Sequence, residues 1–229
     1  MLFRLLGSVE VLGDDGSPVA LPGARARAIL AMLLVSRPDA VSPSRLFATG
    51  RSAKDPVNAL HVQIAKLRAA LPELRLVSER GGYRLLTRAG EIDADVFADA
   101  CETGRELARQ GDPAAAVAVL REGLTRWRKP VGYDFAEAWR VRLEELRLAA
   151  LDTVLDAKLT LGRHRELVPE LAGLVAEHPL RERFAELLML ALRSGGRAAT
   201  CRTRSVPCSG ATRISAPPGG CSANGTWSP

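Results

Sequence analysis

At 229 residues the chain has room for one or two domains, and with only 4% aromatic residues their cores must be built largely from Leu, Ala and Val. The formal net charge of +6 is unevenly spread: residues 1–88 hold 13 Lys/Arg against 7 Asp/Glu, residues 89–198 hold 16 against 19, and residues 199–229 hold 3 against none. A basic block followed by a mildly acidic one implies two modules with different partners, and excludes a chain of uniform surface character.

In chain order, Phe3, Leu5, Val9 and Val11 alternate up to a D-D-G turn at 14–16, and Pro18–Leu21 follows as a partner strand. Together they predict a small antiparallel sheet. Arg25–Arg37 reads as a helix burying Ile29, Leu30, Leu33 and Leu34, with Arg25 and Arg27 near its start and Pro38 closing it. Ser42-Pro43, an N-cap followed by proline at the first helical position, opens a brief helix through Arg45, Leu46 and Phe47. A polar loop, T-G-R-S-A-K at 49–54, leads to a second such signal, Asp55-Pro56. From there Val57, Leu60, Ile64, Leu67 and Leu71 recur at helical spacing as one apolar stripe, and Pro72 ends the helix. The opposite face carries Asn58, Val62, Gln63 and Lys66, with no acid after the cap. Residues 74–86, L-R-L-V-S-E-R-G-G-Y-R-L-L, alternate around Gly81-Gly82 as a hairpin with Arg80, Tyr83 and Arg84 near its tip. Sheet, two helices, a third helix with an acid-free outer face and a hairpin suit a winged helix on DNA, spanning 1–88.

The remainder predicts an all-helical module over 91–198. Helical patterns run about Ala94–Arg109, Pro113–Arg126, Phe135–Leu161, Arg165–Glu177 and Leu180–Arg193. Ala157, Gly162 and Arg163 recur 34 residues later as Ala191, Gly196 and Arg197, the tetratricopeptide period. The fold class expected is therefore mainly α with small β. Residues 199–229 break the pattern, with no leucine, no acid and three of the four cysteines. A frameshifted end that truncates the helical module and a genuine disordered tail are the two readings of this stretch.

Several segments carry a family resemblance: M-L-F-R-L-L-G-S-V-E-V at 1–11, R-A-I-L-A-M-L-L at 27–34, N-A-L-H-V-Q-I-A-K-L-R-A-A-L at 58–71 and G-Y-R-L at 82–85. Their order resembles an OmpR-type winged helix-turn-helix, and more narrowly the Streptomyces antibiotic regulatory protein (SARP) family of transcriptional activators. E-I-D-A-D-V-F at 91–97, L-E-E-L-R-L-A-A-L at 143–151, and the stretches 161–171 and 176–184 resemble that family's bacterial transcriptional activation domain, which is related to tetratricopeptide repeats. The resemblance implies a pathway-specific activator of a secondary-metabolite (antibiotic) gene cluster. Such a protein binds direct repeats in double-stranded promoter DNA, self-associates there and contacts RNA polymerase. In OmpR-type proteins the loop before the recognition helix meets the polymerase. This chain has A-T-G at 48–50, where relatives commonly carry Trp-Gly.

Sequence-specific DNA binding needs cations for phosphates and donors or methyl groups for base edges. Asn58, Gln63 and Lys66 are the polar groups suited to base edges, and Val62 to a thymine methyl. Arg68, close to the apolar stripe, suits a backbone phosphate, and so do Arg25 and Arg27 at a helix start. Arg80 and Arg84 on the wing suit the minor groove or phosphate. Tyr83 is expected in the hairpin core and His61 packing beside the helix core.

No catalytic constellation is present: the chain lacks G-x-x-x-x-G-K-[ST], G-x-S-x-G and H-E-x-x-H. Cys101, Cys201, Cys208 and Cys221 form no C-x2-C pair, so neither metal nor cofactor is expected, and Cys101 reads as a buried thiol. No run approaches ~18 apolar residues and the N-terminus lacks a signal-peptide core, so a cytoplasmic, nucleoid-associated protein without membrane contact is expected. Two alternatives remain beside the activator: a helical-repeat adaptor whose winged helix docks protein, and a truncated regulator that binds DNA without activating.

Overall fold

The computed structural model describes residues 1–48, 56–130 and 132–200; the Asp55 cap, the 49–54 loop and the tail beyond Thr200 lie outside them. Three short strands, β1 (Leu2–Arg4), β2 (Glu10–Leu12) and β3 (Pro18–Val19), form an antiparallel sheet in the order β1-β2-β3. Phe3 stands opposite Val11, and Val11 opposite Val19, so the alternation read from the sequence sets the register. Helix α1 (Gly23–Val35) begins two residues before the expected start because Gly23, at φ +88°, turns the chain directly into it. It ends before Arg37-Pro38, since the residue preceding a proline disfavours the α conformation. Ile29, Leu30, Leu33 and Leu34 are all buried.

Helix α2 (Pro43–Phe47) is capped as its sequence dictates, the Ser42 hydroxyl accepting from the Arg45 amide at 3.4 Å. Helix α3 (Pro56–Ala70) packs on α1 and α2 and buries Leu60, Ile64 and Leu67, with Leu71 buried just past its end. Val57 departs from the expected stripe. At 57% exposure it lies on the first turn of the helix.

The hairpin pairs β4 (Leu76–Glu79) with β5 (Gly82–Leu85) around Arg80-Gly81, one residue earlier than the Gly-Gly reading. Gly82 already pairs with Glu79, and its own need for glycine is of another kind. At φ +140°, a Cβ there would fall 2.0 Å from the Val41 carbonyl oxygen. That close approach lets Val41 and Tyr83 exchange two backbone hydrogen bonds, at 2.8 and 3.0 Å, which pin the hairpin to the α1–α2 connection. Tyr83 is buried, as expected of a hairpin core residue.

Five helices follow: α4 (Asp93–Arg109), α5 (Pro113–Thr125), α6 (Glu137–Thr160, after a 3-10 turn at Asp134–Ala136), α7 (His164–Glu177) and α8 (Glu182–Thr200). Asp112 caps α5 through the Ala115 amide at 2.9 Å, with Pro113 at its first position. Gly104 of α4 lets α5 approach: a Cβ there would lie 2.3 Å from Leu120 Cγ. The 34-residue correspondence holds for Ala157 and Ala191, both buried, and fails at the glycines. Gly162 makes a turn at φ +77°, whereas Gly196 lies inside α8, which runs past the Arg193 end expected from the sequence.

One hydrophobic core is continuous from Phe3 and Val11 through α1, α3 and the hairpin to Phe97, Cys101 and Leu120, and on to Leu143 and Val154 of α6. A smaller second core joins the end of α6 to α7 and α8 around Phe184, Leu167, Leu171 and Leu187. Ion pairs bind this second core. Lys158, 4% exposed, donates to Glu170 at 2.6 Å; Arg181 reaches Asp152 and Glu145; Arg183 meets Asp156 at 2.5 Å.

Candidate nucleic-acid interface

The two faces of α3 follow from its period. With Leu60, Ile64 and Leu67 turned to the core, Asn58, His61, Val62, Ala65, Lys66 and Ala69 are exposed. From Pro56 to Pro72 this surface carries no carboxylate. Lys66 and His61 have no hydrogen bond or ion pair among the described residues, and the expectation that His61 packs beside the core gives way to an exposed imidazole. Gln63 lies half-buried on the flank, nearer the core than its sequence reading implied.

The hairpin is fastened beside this face. Arg68 donates from Nη2 to the Leu76 carbonyl at 3.1 Å and the Ser78 hydroxyl at 3.4 Å, so it positions the wing relative to α3. Arg80, at the tip, is exposed with no partner among the described residues. Arg84 differs: it is paired across the hairpin with Glu79, and its Nε is buried without a hydrogen bond. Helix α2, packed on α3, adds Arg45, which sequence reasoning did not single out; its signal was a basic residue on the outer side of a capped turn. Arg25 and Arg27 belong to another neighbourhood. They sit within the first five residues of α1, and Arg27 lies near Tyr133, whose hydroxyl is pushed up by burial and drawn back by that charge.

The segment 91–97 holds this unit against the helical module. Glu91 accepts from Arg75 at 2.5 Å and from the Arg88 amide at 2.6 Å, while its own carbonyl accepts from the Phe3 amide at 2.7 Å. The Asp93 carboxylate accepts from the amides of Leu5 and Leu6, at 2.7 and 3.1 Å. Burial raises its pKa, opposed by those amides. Asp95 takes a two-point contact from Arg37 at 3.0 and 3.2 Å, and Arg37 also donates to Thr87 at 2.9 Å. Ile92 and Phe97 are fully buried, Phe97 against Trp127 with ring centroids 5.1 Å apart.

No group of three or more His, Cys, Asp or Glu is placed to hold a metal among the described residues. Burial pushes the Cys101 thiol up to about 11, so it stays protonated at neutral pH. No helix among the described residues is long and apolar enough to cross a membrane.

Residues 92–203 match the bacterial transcriptional activator domain. Over 205 residues the chain is 37% identical to the regulatory protein AfsR of Streptomyces coelicolor, an alignment covering 86% of this chain and 20% of AfsR. It is 33% identical over 211 residues to the transcriptional regulator RedD of the same organism, covering 85% of this chain and 59% of RedD. Over most of its length the chain is homologous to SARP-type transcriptional regulators, and it carries a bacterial transcriptional activator domain. A solved structure of Mycobacterium tuberculosis EmbR, in complex with a low-affinity phosphopeptide, matches the SARP-type chain at a TM-score of 0.79 and 27% identity. That match covers 87% of this chain and 56% of the EmbR chain. The chain thus spans about a fifth of AfsR and 59% of RedD.

Proposed function

We propose that this chain binds promoter DNA sequence-specifically and regulates transcription of a secondary-metabolite gene cluster, as a cytoplasmic, pathway-specific activator. The acid-free outer face of α3, with Lys66 unmatched and the wing fastened beside it by Arg68, is the observation that carries the reading. In it α3 enters the major groove with Asn58, Val62, Gln63 and Lys66, Arg80 follows the backbone or minor groove, and Arg25 and Arg27 reach phosphate farther along. Arg68 and Arg84 act by shaping the wing. Residues 1–88 form the DNA-binding part and 91–198 the part that self-associates on direct repeats and meets RNA polymerase. A helical-repeat adaptor is the rival reading, favoured by Met189 and Leu192 of α8, which are 64% and 55% exposed.

A gel-shift titration on the promoter DNA flanking its own gene, with excess nonspecific competitor and at two salt concentrations, separates them. A regulator gives a discrete, competitor-resistant complex that weakens steeply with salt, and Lys66→Ala weakens it further. An adaptor gives no such complex.

A further inference from the structure

We infer that α3 reads thymine methyl groups, with Val62 as the reading residue and Ala65 beside it, so that the DNA partner is a thymine-containing half-site. This rests on the DNA-binding reading above. The buried row of the helix, Leu60, Ile64, Leu67 and Leu71, is spaced 4, 3, 4. Two positions away, on the opposite side, Asn58, Val62, Ala65 and Ala69 repeat the same spacing, and all four are exposed. Whatever groove receives the helix meets this row first.

The row's chemistry narrows what it can recognise. Val62 is 44% exposed, and its β-branched side chain has essentially one rotamer in a helix, so its methyl groups are held in place before any partner arrives. Ala65 and Ala69 leave nothing to hold the helix away from base edges. Recognition of guanine by a forked cation has no residue in this row, and recognition of cytosine needs an acceptor acid, absent from residues 56–72. Thymine is the base that presents an apolar group in the major groove, and valine and alanine suit it. Lys66 flanks the row, and Arg68 lies beyond on the wing side; this cationic border with no acid matches a groove walled by phosphates.

The test uses the full chain and duplex DNA enriched on it from a random-sequence pool, with each thymine replaced in turn by 2′-deoxyuridine. That change removes the methyl group alone. Fluorescence anisotropy is expected to show about fourfold weaker binding for each methyl read, at one or two positions of the site. Val62→Ala, folded by circular dichroism and melting as the wild type does, is expected to bind thymine and uracil duplexes equally at one of these positions. Near-isosteric Val62→Thr is expected to give an intermediate ratio. Uracil without effect at every position, or a Val62→Ala protein keeping the full ratio, overturns the inference while leaving DNA binding intact. A pool yielding no enriched sequence overturns both.

Discussion

Helix α3 and the segment 91–97 are both rich in polar side chains, and the fold uses them in opposite ways. Along 91–97, Glu91, Asp93 and Asp95 each find partners within the chain: Arg75, the Leu5 and Leu6 amides, and Arg37. On α3, Lys66 and His61 find none among the described residues. Charge matched inside the chain shapes the molecule, whereas charge left unmatched on an acid-free helix is available to a partner. The continuous core crosses residue 91. The N-terminal unit and α4 are held by backbone-directed carboxylates as well as by Ile92 and Phe97, so the helical module keeps a fixed direction relative to α3.

Substitutions can break either half of this contrast. The largest expected effect is that of Asp93→Ala, which leaves two part-buried amides without an acceptor. It should cost about 2–3 kcal/mol of stability in urea or thermal melts, while the folded protein keeps its salt dependence on DNA; a cost no greater than that of a surface substitution would show that the Asp93 contacts to the Leu5 and Leu6 amides do not hold the fold. Lys66→Ala should do the reverse. It should leave stability within about 0.5 kcal/mol and lower the slope of log affinity against log salt by about one. Asp95→Ala, removing a pair in which Asp95 is about half exposed, should cost roughly 0.5–1 kcal/mol, visible as a small drop in the melting midpoint. Smallest is a pH effect. Because burial raises the Asp93 pKa, the fold favours its protonated form, and that contribution is present at low pH and lost as pH rises through the raised value. Asp93→Asn should therefore gain stability relative to wild type over that rise; parallel pH profiles would show that this carboxyl titrates as it does unfolded.

What could be read in advance was what local chemistry dictates. Ser42-Pro43 placed a helix start correctly, the alternation of Phe3 and Val11 placed strands, and the 3.6-residue period separated the two faces of α3. What could not be read depends on partners distant in sequence. Glu79 and Arg84 meet because β4 and β5 pair in one register, which moved Arg84 from a free wing cation to a matched one. The half-buried position of Gln63 needed the rotation of α3 about its core, which a pattern fixes only to within about a residue. E-I-D-A-D-V-F was legible as a family segment, but its carboxylates gained a role only once Leu5 and Asp93, 88 positions apart, were placed side by side. Nothing in the sequence signalled that Gly196 sits within a helix, since glycine marks turns more often than helix interiors.

The unmatched, acid-free face of α3 is the proposed DNA-binding surface. Its most direct test is the affinity of the full chain for promoter DNA across a salt series, for wild type and Lys66→Ala. A steep linear fall of log affinity with log salt is expected for the wild type and a shallower one for the variant. A complex indifferent to salt, or identical slopes for the two proteins, would contradict it.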